Sequence, residues 1–505
     1  MSITGEAPAA KARLIVVLPA LMLALAISAL DQQIVNTALP RIVAEMGGLN
    51  RLSWVVTAFL LTQTCTVPLY GKLSDLHGRK LMFIIAISIF LAGSALCGVA
   101  RTMTQLIVFR GLQGLGAGGI YTLVSITIGD FVPPKDRGKY QGLFTGVFVI
   151  CSVGGPVVGG LLTSAFTWRS VFLINLPFGA IVLLVLGLAL PSSKRANHKI
   201  DYAGALLIAV ATMPLLLALS WGGTVHPWVS PIILGLGVFA IVAYTVLIAH
   251  ERRASEPILG VNLVGDRTFR WGVLTSGIVG FGFYGSNILL PLYFQIALGL
   301  TPAIAGALLI PQAIGSMLAS LAGGQWVSRS GRYRETLIGG VSIFTAAFAG
   351  MAALSARPSP LWSFEACLFV LGLGGSLCIL SLTVCVQNAV EHRHLGMATS
   401  TMTFFNSLLG AAGVALFGSI LAGQLHAYLS AHGAAGLNLA PGRGLDPTRM
   451  IPPVVSAAYR HAISTAFFAS AGLNLLTIAA AFKVPGKKLV TALGVGHPRA
   501  NAAAA

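Results

Sequence analysis

A chain of 505 residues that is 56% hydrophobic and 9% charged, with a mean hydropathy of +0.85, is too apolar for a set of soluble domains. Its net charge of +18 invites a nucleic-acid reading, but the basic residues are scattered over short loops between apolar runs rather than gathered on one face. The composition is that of an all-α polytopic membrane protein bathed in a lipid bilayer, with no nucleic-acid partner.

In chain order, fourteen apolar runs are predicted to span: 14–39, 53–71, 81–100, 104–128, 140–164, 171–190, 203–221, 230–249, 271–294, 303–327, 336–354, 362–386, 397–422 and 460–482. With the N-terminus inside, about three basic residues fall in inner loops for each one outside, which puts both termini in the cytoplasm. The first run is too long, and too polar at Asp31, Gln32, Gln33 and Asn36, for a cleaved signal. All six cysteines fall in predicted spans and read as packing residues. The histidines form no HExxH pair and no Gly-x-Ser-x-Gly occurs, so neither a metal centre nor an intramembrane enzyme is indicated.

Asp31 organises the first run. An ionised Asp in a bilayer core costs about 2.5–3.5 kcal/mol, so such residues face a bundle interior or a wet cavity and mark ion or proton paths. The alternative is a protonated or paired Asp that steadies packing. Span four carries Arg110 about six residues from its outer end, about 9 Å deep, a depth similar to that of Asp31 below Pro40. The two are expected to share one polar cavity, where Arg110 lowers the proton affinity of Asp31 when close and releases it when apart; a static ion pair is the plainer reading. In RGLQGLGAGG (110–119), Gly114, Gly116 and Gly119 match the dinucleotide spelling GxGxxG without a preceding strand, so they read as close-packing positions. In span five, Gly155, Pro156, Gly159 and Gly160 combine a kink with a small-residue face.

Two comparable halves flank an insert: residues 1–195 form a first six-helix bundle, 196–255 two inserted helices with linkers, and 256–505 a second six-helix bundle with its tail. The loops GKLSDLHGRK (71–80) and GGQWVSRSGRY (323–333) look like copies, except that Ser328 or Ser330 stands where the first has Asp75. Paired units of this kind create a central cavity that opens alternately to each side. In the second half Glu365 is the acid placed to serve as a second proton or cation site, or as a plain interfacial residue. Candidate cavity groups are Gln32, Gln33, Asn36, Gln63, Tyr284, Asn287, Tyr293, Gln312, Asn388, Phe404, Phe405 and Asn406; an apolar, aromatic cavity with a few polar groups suits lipophilic cations. The loop 423–460 is expected to cap the outer face.

Four motifs carry a resemblance. GKLSDLHGRK resembles the signature loop of the major facilitator superfamily, ALDQQIVNTALPRI (29–42) resembles the first-span motif of its fourteen-span drug:proton antiporter branch, and Arg110 with its glycines and Gly155-Pro156 with Gly159-Gly160 resemble the motifs of spans four and five. Gln33 and Cys151 depart from the branch pattern, which has Thr and Gly there. The resemblance implies that Asp31 takes up the proton with help from Arg110, and that Gly71, Asp75, Gly78, Arg79 and Lys80, with Arg137, form a cytoplasmic latch. It implies proton-driven export of lipophilic or cationic compounds from the bacterial cytoplasmic membrane, without a cofactor, and with accessory export proteins where a cell has two membranes. The main rival is a dedicated exporter of one metabolite class, such as a siderophore, lipid or peptide.

Overall fold

The computed structural model describes residues 6–47, 51–132, 136–191, 201–223, 225–433 and 453–486. Each of the fourteen expected runs holds a long helix. In the first half these are α1 (Glu6–Met46), α2 (Leu52–His77), α3 (Arg79–Val99), α4 (Met103–Phe131), α5 (Arg137–Ala165) and α6 (Asn175–Ala189), the last preceded by the turn Ser170–Leu173. The insert is α7 (Tyr202–Trp221) and α8 (Pro231–Glu251). The second half holds α9 (Arg267–Leu292), α10 (Ile310–Ser330), α11 (Tyr333–Ala356), α12 (Leu361–Asn388), α13 (Leu395–Ala431) and α14 (Pro453–Phe482).

Twelve of these are long and apolar enough to cross a membrane, and α5, bent by 42° between Gly142–Ser152 and Val157–Thr163, makes a thirteenth. The bend falls at the Gly154-Gly155-Pro156 run, where proline lacks the amide that would continue the ladder. Helix α2 falls short of the hydropathy of the others because it carries Thr57, Thr62, Gln63, Thr64, Thr66, Lys72 and Asp75. The chain is thus a multi-pass membrane protein. The expected outer loop 423–460 is a smaller connection, since α13 runs on to Ala431 and α14 starts at Pro453; residues 434–452, like the link 192–200 and the tail 487–505, lie outside the described residues.

Glycine sets the packing inside each half, and it does so twice. A Cβ on Gly114 would run into the Phe59 carbonyl of α2, and one on Gly116 into Phe90 of α3. In the second half, a Cβ on Gly372 would strike the Gln312 carbonyl of α10, and one on Gly374 would sit 2.5 Å from the Phe344 nitrogen of α11. Helices α4 and α12 are therefore equivalent central posts, each pressed against two neighbours at backbone distance. The GxGxxG spelling is this packing face. The loops after α2 and α10 also match: Gly78 (φ 88°) and Gly331 (φ 71°) end their helices in the left-handed region that favours glycine.

The halves meet along two seams, α2 against α13 and α5 against α10. Helix α7 lies over the first seam and touches both α2 and α13, while α8 packs on α7.

Candidate functional site

Asp31 and Arg110 are paired and enclosed. Asp31 is 0% exposed and Arg110 1%, and Arg110 Nη1 donates to Asp31 Oδ2 at 2.6 Å. The sequence reading expected the two to share one polar site, paired or linked through water; they are in direct contact, and α1, α2, α3, α4 and the turn before α6 wrap the pair within the first bundle. Gln113 Nε2 donates to Asp31 Oδ1 at 2.8 Å and to Ser94 Oγ at 3.1 Å, and Asn175 Nδ2 reaches the same two atoms at 2.9 and 2.8 Å. The Ser94 hydroxyl in turn donates a hydrogen bond to the Phe172 carbonyl at 3.0 Å. Arg110 is held further by Gln113 Oε1 (2.7 Å), the Val55 carbonyl (3.2 Å) and the Phe59 ring, whose centroid lies 4.0 Å from the guanidinium carbon.

This shell satisfies the carboxylate in its charged form: three donors reach two oxygens and the counter-ion is in contact. Removing one partner of such a pair leaves a bare buried charge, at a cost of about 3–5 kcal/mol. A proton on Asp31 would do the same in reverse, cancelling the attraction to Arg110 while Gln113, Val55 and Phe59 keep the guanidinium in place. The sequence reading missed Gln113, Ser94, Asn175 and Phe59. Gln113, one turn from Arg110 on the same helix face, was open to discovery; Asn175 and Ser94 come from distant spans and needed the fold.

The loop after α2 ties the halves together. Asp75 pairs with Arg79 (2.6 Å) and accepts the amides of Gly396 (3.2 Å) and Met397 (3.0 Å), capping α13 across the seam. Arg79 Nε also holds Asp130 Oδ2 at 2.7 Å. Gly71 lets α2 close on Ser400 and Gly396. Across the other seam Ser328, the counterpart of the Asp75 region, donates to Asp136 Oδ1 at 2.9 Å, and Asp136 stands at the start of α5. Gly142 of α5 presses on Ser320 of α10 there, a Cβ being 2.8 Å from its carbonyl oxygen. Arg137 takes no part in the Asp75 pair: its guanidinium donates to the carbonyls of Gly129 (2.6 Å) and Val132 (3.1 Å) and caps the end of α4. Lys80 is half-buried at the start of α3.

The remaining expected positions divide. Gln32 Nε2 donates to Gln63 Oε1 at 3.4 Å, Gln33 packs on Gly155, and all three glutamines are half-buried on the first half. Tyr284 of α9 is 43% exposed and Tyr121 of α4 is 40% exposed. Asn287 is exposed and donates to the Phe283 carbonyl, and Asn406 donates to the Ser276 carbonyl at 2.7 Å. Tyr293 and Phe404 are corrections: Tyr293 is 3% exposed and stacks on Phe364 with centroids 4.7 Å apart, and Phe404, at 0%, fills the core between α2, α7 and α13. Gln312 and Asn388 are buried as well, and Phe405 is partly buried between two cores. Glu365 is half-buried at the fifth residue of α12. Gly159 is buried, with its carbonyl accepting from Thr163, whereas Gly160 meets open space; the Asn36 and Pro156 side chains are outside the described set.

A profile of the Major Facilitator Superfamily matches residues 21–414. The chain is 37% identical over 404 residues to the multidrug transporter protein MdtP of Bacillus subtilis, covering 79% of this chain and 74% of that one. It is 34% identical to multidrug resistance protein 3 of the same organism, over 79% and 78% of the two chains. Among solved structures the human organic anion transporter MFSD10 (TETRAN) superposes with a TM-score of 0.62 at 15% identity, over 91% of this chain and 99% of that one, a likeness of fold. With its paired bundles, matched loops and buried charged centre, the chain belongs to the Major Facilitator Superfamily: it is a membrane transporter and not an enzyme.

Proposed function

We propose that the protein is a proton-coupled exporter of lipophilic or cationic compounds, of the fourteen-span drug:proton antiporter type, working by alternating access. One observation carries this reading: the only charged side chains engaged deep in the first bundle, among the described residues, are Asp31 and Arg110, held as a contact pair with Gln113, Asn175 and Ser94 around them. When Asp31 takes a proton, α1 loses its strongest tie to α4 and α1 and α4 are freed to shift. When it gives the proton up, the pair closes again.

With the basic loops inside, the Asp75 end is the cytoplasmic one, and both seams are closed there. An antiporter closes its cytoplasmic side in the state in which it releases substrate and takes a proton from outside. The substrate lies between Gln32, Gln33 and Gln63 on one side and Tyr284 on the other, with Tyr121 added to that set. The names of the two Bacillus relatives support a broad substrate range, and they favour a bacterial cytoplasmic membrane.

The test is efflux of ethidium from cells lacking their own pumps, with wild type and Asp31→Asn at equal expression. Export by wild type and none by the variant supports the reading. Absence of ethidium export by wild type, with proton movement in vesicles only when a metabolite is supplied, points to a dedicated exporter.

A further inference from the structure

The insert carries an acidic cluster that the transport cycle described above does not use. Asp201 caps α7, with Oδ1 accepting the Gly204 amide at 2.8 Å, and His250 near the end of α8 holds its Oδ2 at 2.8 Å. The next residue, Glu251, is 0% exposed. Its Oε2 accepts the Leu259 amide at 3.1 Å, while Oε1 is buried with no hydrogen-bond partner among the described residues. Glu251 Oε1 and Asp201 Oδ2 both point at Gly204: a Cβ there would lie 3.2 Å from the first and 2.5 Å from the second. Two carboxyls thus converge on one glycine, which leaves the room between them.

A fully buried carboxylate with one empty oxygen beside a second carboxylate is an unfavourable arrangement, and a single proton between the two relieves it. Among the described residues, His250 is the basic group in contact with the cluster, and it faces Asp201 and not the empty Glu251 oxygen. Asp201 comes from α7, His250 from α8 itself, and Arg252 and Arg253, next in the chain, are exposed. Beyond them Glu256 is taken by Lys72 of α2 at 2.5 Å, and His394 of the connection before α13 is held below its ordinary value by burial first and then by Arg393 and Lys72.

The segment that Glu251 grips is also the insert's tie to both halves. From Leu259, which donates to Glu251, it is three residues back to Glu256, which pairs with Lys72 of the first half, and one forward to Gly260, whose amide donates to Thr401 of α13 at 3.1 Å. At the other end of the insert, Trp221 packs edge-on against Trp54 of α2 at 5.5 Å and Trp228 Nε1 donates to Ser419 of α13 at 2.7 Å. The two inserted helices therefore clip the α2–α13 seam at both ends.

We infer that Asp201 and Glu251 share one proton, reached from water through the partly exposed His250, and that its loss or gain sets how tightly segment 252–260 is held across the seam. With the proton on, Glu251 is neutral and its bond to the Leu259 amide is ordinary; with it off, the same bond is charge-assisted and stronger. The insert is then a proton-sensitive clip, a binding site for a proton separate from Asp31 and independent of whether the exported compound is a drug or a metabolite.

Infrared difference spectra of the full-length protein in lipid vesicles, taken as pH is raised through neutrality, test this directly. The protonated-carboxyl band should fade with rising pH in wild type and in Asp31→Asn, be absent when Glu251→Gln is added to Asp31→Asn, and have a displaced midpoint in Asp201→Asn. In parallel, protection of the Leu259 amide against deuterium exchange, corrected for intrinsic rates, should rise with pH in wild type by several-fold and stay flat in Glu251→Gln. A band unchanged when Glu251→Gln is added to Asp31→Asn overturns the proposal, as does a midpoint unmoved in Asp201→Asn, which would make Glu251 an isolated acid. Should Glu251→Gln fail to fold, the Asp201→Asn midpoint decides alone. Ethidium efflux does not enter either readout, so failure of the clip and failure of the export reading are distinguishable.

Discussion

The two halves share a scaffold and differ in what fills it. The matched contacts of Gly114 with α2 and Gly372 with α10, and of Gly116 with α3 and Gly374 with α11, put Arg110 level with Leu368, Gln113 with Leu371, and Ser94 with Phe348. The first half spends these positions on a buried charged network; the second fills all three with apolar side chains that are 0% exposed. Phe348 there packs edge-on against Phe344, with centroids 4.9 Å apart. A helix framework built on glycine contacts accepts either filling, so chemistry can be confined to one bundle while the other serves as a rigid partner. The seams show the same division with roles exchanged. Asp75 of the first half caps α13 of the second, whereas the second half offers the hydroxyl of Ser328 to the acid at the start of α5.

Giving the first half the second half's residue is the most damaging experiment. Arg110→Leu leaves Asp31 charged and buried, and should destabilise the first bundle by about 3–5 kcal/mol and abolish efflux. The double variant Asp31→Asn/Arg110→Leu should recover much of the melting temperature in detergent without recovering efflux. Recovery of both would mean that the charged filling is only structural. Closing the seams with side chains comes next. Gly71→Ala meets Ser400 and the Gly396 carbonyl, and Gly142→Ala meets Ser320 backbone, so each should disfavour the closed end by about 1–3 kcal/mol, read as faster labelling of cysteines placed at the seam. Equal effects at both seams would confirm their equivalence.

The two latches should differ in strength. Asp75→Ala removes a helix cap and an ion-pair partner and should cost about 1–2 kcal/mol, while Ser328→Ala removes one exposed hydrogen bond and should cost about 0.5 kcal/mol, both measured by thermal melting. The smallest effect is at the opposite end. Arg169 and then Trp168 donate to Glu45 and hold its carboxyl below the ordinary carboxylate range. A depressed carboxylate stabilises at pH above its unfolded value, and that contribution fades as pH falls through the lowered folded value. Melting curves between neutral and acidic pH should therefore converge for wild type and Arg169→Ala; the second half, which fastens this end through Ser456 and the Ala297 carbonyl, should show no matching dependence in Ser456→Ala.

Hydropathy and glycine placement were enough to locate fourteen helical runs, twelve of them in two related sets and two in the insert, because a bilayer favours long, apolar, helical spans. The polar exceptions were equally visible: an Asp and an Arg inside apolar runs advertise their cost wherever they lie. What could not be read was the company they keep. Gln113 was near at hand, but Ser94 and Asn175 reach Asp31 from spans three and six, and no periodicity along one helix reports a contact between helices. The same limit misassigned Phe404 and Tyr293, whose aromatic rings suit a cavity and a core alike. Composition names the side chains that need partners, and only the packed bundle, by bringing distant spans within hydrogen-bond distance, decides which partners they find.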